Sequence, residues 1–298
     1  MADIAATTAP IKNLSQGTLI TGDISDLKKI LRLYAIVVAV AVIPAALFMR
    51  WDWLNPSFQE ATGFFPQYAL MFLKGTVNTL IVLAVSVFFG FLLAIPIGLV
   101  QVTGPWPLAW LARGFCTVIR GTPLLVQLWL FYYGIGEFLP LIPRDVWNSD
   151  ILFGLSGITV KDVLVSAWPY ALLAFTLNFA GYEGEIMRGA FAGVPKGELE
   201  AAKAFGMSKN KMLRRVWLPR AIHQALPTLT GEVVLQLQST PLVATVTIAD
   251  AFFVNTKVRQ DLLIPYEPLM MLALLYMVLT AIVVLIFGRL EKLVPTKR

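Results

Sequence analysis

The sequence predicts an all-α polytopic membrane protein of six transmembrane helices, carrying a short helix-turn-helix on one side of the bilayer. Three observations carry that expectation. Of 298 residues, 57% are hydrophobic and only 14% charged, and the mean hydropathy is +0.73, which is more apolar matter than a soluble core of this size needs. The apolar residues gather into runs of membrane length, separated by proline, glycine and charge. Between two such runs lies one polar, basic island, residues 181–220.

The same composition excludes several classes of chemistry. A single cysteine, Cys116, allows no intrachain disulfide, and with a single histidine, His223, there is no zinc-ligand or Cys/His catalytic set. No catalytic residue and no metal site are expected. His223 reads as the histidine of a cytoplasmic helix end, and Glu183 and Glu185 as loop-anchoring ions rather than an acid/base pair. The net charge of +6 raises the question of nucleic acid, but its distribution along the chain points to the membrane instead.

Taken in order, residues 1–29 are a polar tail with too little apolar surface to bury. Residues 30–49 form a first span. Its leader is long and no small-residue cleavage site precedes Arg50-Trp51-Asp52-Trp53, so it is expected to stay as an anchor. Trp51, Trp53, Phe58, Phe64 and Phe65 suit headgroup depth. A second span covers residues 74–101, where Gly90, Pro96 and Gly98 allow close approach or a bend, and it ends at Thr103-Gly104-Pro105-Trp106-Pro107. The third runs from Trp110 through Arg120-Gly121-Thr122-Pro123 to Leu139, the fourth covers residues 163–180, the fifth 220–248 and the sixth 268–287. Residues 291–298 are a second tail.

Basic residues are retained in the cytoplasm during insertion. Six spans place 18 of the 24 Lys/Arg on the side of both tails, the Arg113/Arg120 loop and the island, and 6 on the other. Both termini and the island are therefore expected to be cytoplasmic.

Within the island, Pro195 can open a helix, residues 198–205 are strong helix formers, and Gly206 supplies a left-handed stop. Ser208 can cap a second helix that closes at Leu218-Pro219. Leu199, Ala202 and Phe205 share a face of the first helix. Seven Lys/Arg against two Asp/Glu between Lys196 and Arg220 also fit a DNA-binding helix-turn-helix, but membrane-length apolar runs on both sides speak against it.

Glu200-Ala201-Ala202, then Gly206, then Leu218-Pro219 resemble the EAA loop of importer-type ABC transporter permeases. Gly75-Thr76-Val77-Asn78-Thr79-Leu80, Arg120-Gly121-Thr122-Pro123-Leu124-Leu125-Val126-Gln127 and the set Tyr182, Glu185, Ile186, Arg188 and Gly189 are similar to the polar amino acid branch of that family. Residues 231–242 look most like its histidine, basic amino acid and opine members. Many members have Lys-Asp-Thr-Ser-Leu where this chain has Gln238-Ser239-Thr240-Pro241-Leu242, so that charge pair is absent here. The resemblance implies a five-helix type I importer domain over residues 74–290, with the N-terminal span as an addition, in a bacterial inner membrane. It implies that residues 182–220 are the coupling loop, with Glu200, Ala201, Ala202, Gly206, Leu218 and Pro219 docking on the ATPase. The implied partners are a dimer of ATP-binding subunits, a second permease subunit, identical or related, an extracytoplasmic binding protein and an amino acid substrate. No GxxxxGK[ST] phosphate loop occurs in the chain, so ATP is bound by the partner and no cofactor by this subunit.

One acid stands near the middle of a predicted span. An ionised carboxylate there costs roughly 2.5–3.5 kcal/mol on insertion scales and tends to face a cavity or a counter-charge. Glu232 is thus a candidate receptor for a substrate's cationic group, with Gln236, Ser239 and Thr240 further along the same helix and Asn178 on the fourth span as neutral hydrogen-bonding groups. Alternatively Glu232 pairs with a basic residue or sits protonated against a carbonyl, and Asn178 bridges helices. The runner-up function, an ion-coupled secondary transporter, wants several intramembrane charges and internal repeats, which the sequence does not offer.

Overall fold

The structure is a computed structural model that describes residues 64–135, 137–138, 143–149, 159–264 and 266–293. The expected N-terminal tail and span, the residues at headgroup depth up to residue 63, and the tail from residue 294 lie outside the described residues.

The described chain is nearly all helix. Helix α1 (Phe64–Thr103) contains Pro96 and is about 60 Å long at 1.5 Å per residue, twice the hydrocarbon thickness of a bilayer. Helix α2 (Trp106–Gly121) starts behind Pro105 and is followed by α3 (Leu124–Trp129), which runs on through a wide π turn, Leu130–Gly134. The third expected span is therefore not one straight helix. Thr122 and Pro123 are extended, because the residue before a proline is pushed out of helical geometry, and the chain bends there by 105°.

Helix α4 (Val160–Val165) opens with a reciprocal capping box. The Asp162 backbone N–H donates to the Thr159 hydroxyl, and the Thr159 N–H donates back to the Asp162 carboxylate. The hydrogen bonds from Thr159 hold that carboxyl below the usual carboxylate range. Helix α5 (Trp168–Gly193) carries the fourth span straight on into the island, because no breaker intervenes before Pro195.

The rest of the island forms α6 (Lys196–Ala204) and α7 (Lys209–Met212). Gly206 takes φ +74° as expected, and the Gly206 and Met207 N–H groups close the end of α6 on the carbonyls of Lys203 and Ala202. Two local expectations change. Ser208 is at the N-cap position, but its side chain makes no capping bond. Nor does the second helix close at Pro219: it passes through a π turn, Leu213–Trp217, into α8 (Leu218–Ser239), whose first turn tolerates the missing proline N–H.

Helix α8 tightens into a 3₁₀ segment, Thr240–Val246, before α9 (Ala251–Leu262), at a bend of 55°. The Gly75-Thr76-Val77-Asn78-Thr79 stretch holds this junction. The Asn78 amide donates to the Ala249 carbonyl at 2.9 Å, the Ala251 N–H donates to the Thr79 hydroxyl at 3.2 Å, and a Cβ at Gly75 would come within 2.8 Å of the Asp250 carbonyl oxygen. Helix α10 (Glu267–Leu293) completes the described chain.

Helix α5 is the axis of the packing, in contact with α1, α2 and α8. Along α1, Gly90, Ala94 and Gly98 recur every four residues, which is the small-residue spacing that lets helix backbones meet. An added Cβ at Gly90 would lie 2.8 Å from the Phe179 ring, and one at Gly98 2.6 Å from the Met187 Cβ. From α5, Gly181 and Gly184 receive Ile119 of α2 and Ile97 of α1.

Among the described residues, two segments are long and apolar enough to cross a membrane, Gln67–Thr103 and Glu267–Glu291, or four if each bent pair counts as one span. The five spans expected over residues 74–290 also require α5, which carries Asn178, Glu183, Glu185 and Arg188. A helix enclosed by its neighbours needs no lipid-compatible surface, so its polarity fits its place.

Candidate functional site

The polar residues that the fold gathers lie where α1, α2 and α5 diverge. There a cleft of about 620 Å³ is lined by Gln101, Arg113, Cys116, Arg120, Glu185 and Arg188, among others. Arg188 donates to Glu185 one turn away at 2.6 and 2.8 Å, a helical i,i+3 ion pair. Arg113 reaches the Gln101 carbonyl at 3.3 Å. The guanidinium of Arg120, in the last turn of α2, lies over the Tyr182 ring at 5.6 Å from its centroid.

Glu232 on α8 is half-buried. Glu183 on α5 is 0% exposed, with neither carboxyl oxygen hydrogen-bonded. Helix α5 touches both α2 and α8, so exposed Arg120, half-buried Glu232 and fully buried Glu183 belong to a charged junction of three helices.

Three of the other four expected substrate residues hold helices together. Buried Gln236 donates from Nε2 to the Ser86 hydroxyl at 3.1 Å and the Phe175 carbonyl at 3.0 Å. Thr240 shares a hydrogen bond with the Tyr276 hydroxyl at 2.9 Å and donates to the Leu237 carbonyl. The Asn178 amide donates to Gln127 Oε1 at 3.2 Å. Ser239 donates to the Leu235 carbonyl within its own helix.

At the same C-terminal end of α5 the island is bolted to α8. Arg220 grips Glu198 through two parallel bonds, Nε to Oε2 at 2.9 Å and an Nη to Oε1 at 2.8 Å. The Trp217 indole donates to the Phe191 carbonyl and stacks edge-on against the Phe191 ring. Leu199 and Leu218 pack on the apolar cluster of Met187, Ala190 and Phe191, and Ala202 is buried. Glu200, Ala201, Gly206 and Pro219 face outward. Phe205 does not share the buried face as expected. Helix α6 ends at Ala204, so Phe205 becomes the cap and swings out, 85% exposed.

Three functional features escaped the sequence reading. A fourth span that ends at Ala180 leaves Glu183 in a loop, whereas the first breaker is Pro195. Arg120, expected in a cytoplasmic loop, is helical and followed by a bend. Gln127 stands in a motif, and no local signal marks its role in that bend.

Long apolar helices packed around a polar, enclosed one define a polytopic membrane protein. Residues 86–294 match the family described as binding-protein-dependent transport system inner membrane component, and the chain belongs to that family. Its relatives include the octopine transport system permease protein of Rhizobium radiobacter, 36% identical over 69% of this chain and 78% of that one. The histidine/lysine/arginine/ornithine transport system permease protein of Salmonella typhimurium is 34% identical over 73% and 87%. A crystal structure of an amino acid ABC transporter with histidines matches with a TM-score of 0.61 and 27% identity, covering 76% of this chain and 95% of that one. An inward-facing methionine ABC transporter shares the fold at a TM-score of 0.60 and 16% identity, over 77% and 98%. The chain is therefore a multi-pass inner-membrane ABC permease subunit, not itself an enzyme, and it works with an ATPase and a substrate-binding protein.

Proposed function

We propose that this subunit forms the pathway of an ATP-driven importer for amino acids with a cationic side group, and that Glu232 receives that group. The observation that carries the reading is a half-buried carboxylate inside α8, with no ion-pair partner within 4.0 Å among the described residues. The names of the relatives, for octopine and for histidine, lysine, arginine and ornithine, agree in offering a cation.

In this reading residues 182–220 dock on the ATPase from the cytoplasm, residues 74–290 span the membrane five times, and a second permease copy or relative completes the pathway. Nucleotide-driven closure of the ATPases shifts the population between inward and outward states through that loop. The test is uptake by the full transporter in vesicles. Glu232→Gln is expected to lower uptake of arginine or histidine at least about tenfold, the scale of a lost charge-assisted contact, with the subunits still co-purifying. Unchanged kinetics remove Glu232 from the site, and uptake that persists without the ATPase marks an ion-coupled carrier instead.

A further inference from the structure

We infer that the stretch from Lys209 to Arg215, at the foot of α8, is a contact surface for the anionic phosphate headgroups of membrane lipids and holds this end of the island against the bilayer. The inference goes beyond the proposed function and needs neither Glu232 nor the identity of the substrate.

Charge in the island is not spread evenly. Helix α6 carries Lys196 and Lys203 against Glu198 and Glu200 and is neutral. From residue 201 to residue 231 no Asp or Glu occurs, and Lys209, Lys211, Arg214 and Arg215 fall close together in that run. All four are exposed, and none makes a salt bridge or a side-chain hydrogen bond among the described residues. The next arginine, Arg220, is already paired with Glu198 and adds nothing to the surplus. On the other side of the stretch Met212, Leu213, Val216 and Trp217 are partly buried, and Leu213 and Trp217 pack against the apolar cluster at the end of α5. The backbone is thus held by its apolar side, and the four cations are left with no protein group to neutralise them.

Position selects the partner. The chain is helical without a break from Lys209 through the π turn into α8, which starts at Leu218. At 1.5 Å per residue Arg214 stands about 6 Å, and Lys209 about 14 Å, before Leu218 along the axis. Headgroups occupy roughly 5–8 Å beyond the hydrocarbon on each side, and long basic side chains extend toward them from the backbone. Basic residues clustered beside a transmembrane helix are drawn to anionic lipid, each strengthening the contact about fivefold. The proposed docking on the ATPase belongs to the neutral α6, so the surplus charge lies outside that contact. Retention during insertion sets the side of the membrane on which basic residues stand but gives them no ligand, and a merely solvated face would be indifferent to the lipid.

The test uses the purified permease–ATPase complex with a fluorophore on Asn210→Cys, an exposed position between two of the cations, since the native Cys116 is buried. The complex is placed in phosphatidylcholine vesicles, with or without one-third phosphatidylglycerol, that hold a trace of lipid with a quencher on its headgroup. Phosphatidylglycerol is expected to raise quenching at least about twofold. Raising the salt from about 0.1 to about 1 M, which shortens the screening length from about 10 to about 3 Å, is expected to remove the gain. The quadruple variant Lys209→Gln, Lys211→Gln, Arg214→Gln, Arg215→Gln should show the low quenching in both vesicles at an unchanged melting temperature, whereas Arg214→Lys with Arg215→Lys should keep the gain. Equal wild-type quenching in the two vesicles overturns the inference, as does a gain that survives in the quadruple variant. Loss of the ATPase from the quadruple variant in neutral vesicles also overturns it, because the charges then serve the protein partner. If that variant does not fold, the wild type decides alone: a gain that persists at about 1 M salt overturns the inference.

Discussion

A missing side chain at residue 98 sets how near α1 comes to α5. At Gly98 an added Cβ would sit 2.6 Å from the Met187 Cβ and 2.8 Å from the Arg188 backbone nitrogen, so the obstacle is backbone and cannot rotate away. Gly98→Leu is expected to destabilise the fold by about 1–3 kcal/mol through overpacking. Gly114→Ala, where nothing lies within 4 Å of an added Cβ in a helix interior, is expected to stabilise by up to about 1 kcal/mol. Thermal melting in detergent checks both, and equal melting temperatures for the two variants would contradict this account of the α1–α5 contact. The use of Gly90 and Gly98 was legible, because glycines in an apolar helix, here eight apart, mark close helix approach. The depth of Glu183 was not. Hydrophobic periodicity marks a helix with one solvent-facing side, and α5 is enclosed by α1, α2 and α8 with most of its residues buried, so an acid there looks like one at a helix end.

At the scale of elements, the island is built to serve as the proposed lever, because its parts are locked to different helices. Leu199 packs on the end of α5, Glu198 is held by Arg220 on α8, and Trp217 closes on Phe191. The ion pair is partly exposed and contributes on the order of 0.2–1 kcal/mol, so the apolar contacts and the turn geometry carry most of the rigidity. Gly206 is the strictest of these. Its left-handed φ costs an L-residue with a side chain roughly 1–2 kcal/mol, and the space around it is open, so a substitution acts through the turn and not through a clash. Gly206→Val is expected to leave the permease folded, to weaken docking of the ATPase, and to lower the ratio of substrate moved to ATP hydrolysed severalfold. An unchanged ratio would place the coupling elsewhere. Sequence showed the start of α6, its glycine stop, and Leu199 and Ala202 on its inner face, since these follow from local rules. It did not show that the second helix runs on through Pro219, because a π turn has no strong residue signature and first-turn prolines and helix-ending prolines look alike.

For the molecule as a whole, the proposed cation reader and the lever share two helices. From Glu185 to Lys196 the chain covers about 16 Å along α5 and its exit, and from Arg220 to Glu232 about 18 Å along α8, at 1.5 Å per residue. In the proposed mechanism, rotation of the island turns both walls of the charged junction together, because α5 is helical from Glu185 to Gly193 and α8 from Arg220 to Glu232. This transmission has a purpose only if the island faces the compartment that holds the ATPase. The charge distribution argues for that side: the island alone has 8 Lys/Arg from Arg188 to Arg220, against 6 on the whole opposite side of the proposed topology. Cysteines introduced singly at exposed positions test it, since the native Cys116 is buried. Lys257→Cys on α9 is expected to react with a membrane-impermeant maleimide added outside intact cells. Lys203→Cys in the island is expected to react only after the membrane is opened. The reverse pattern would put the lever on the side without ATP, and neither the docking role of the island nor motor-driven rotation of the cleft would survive it.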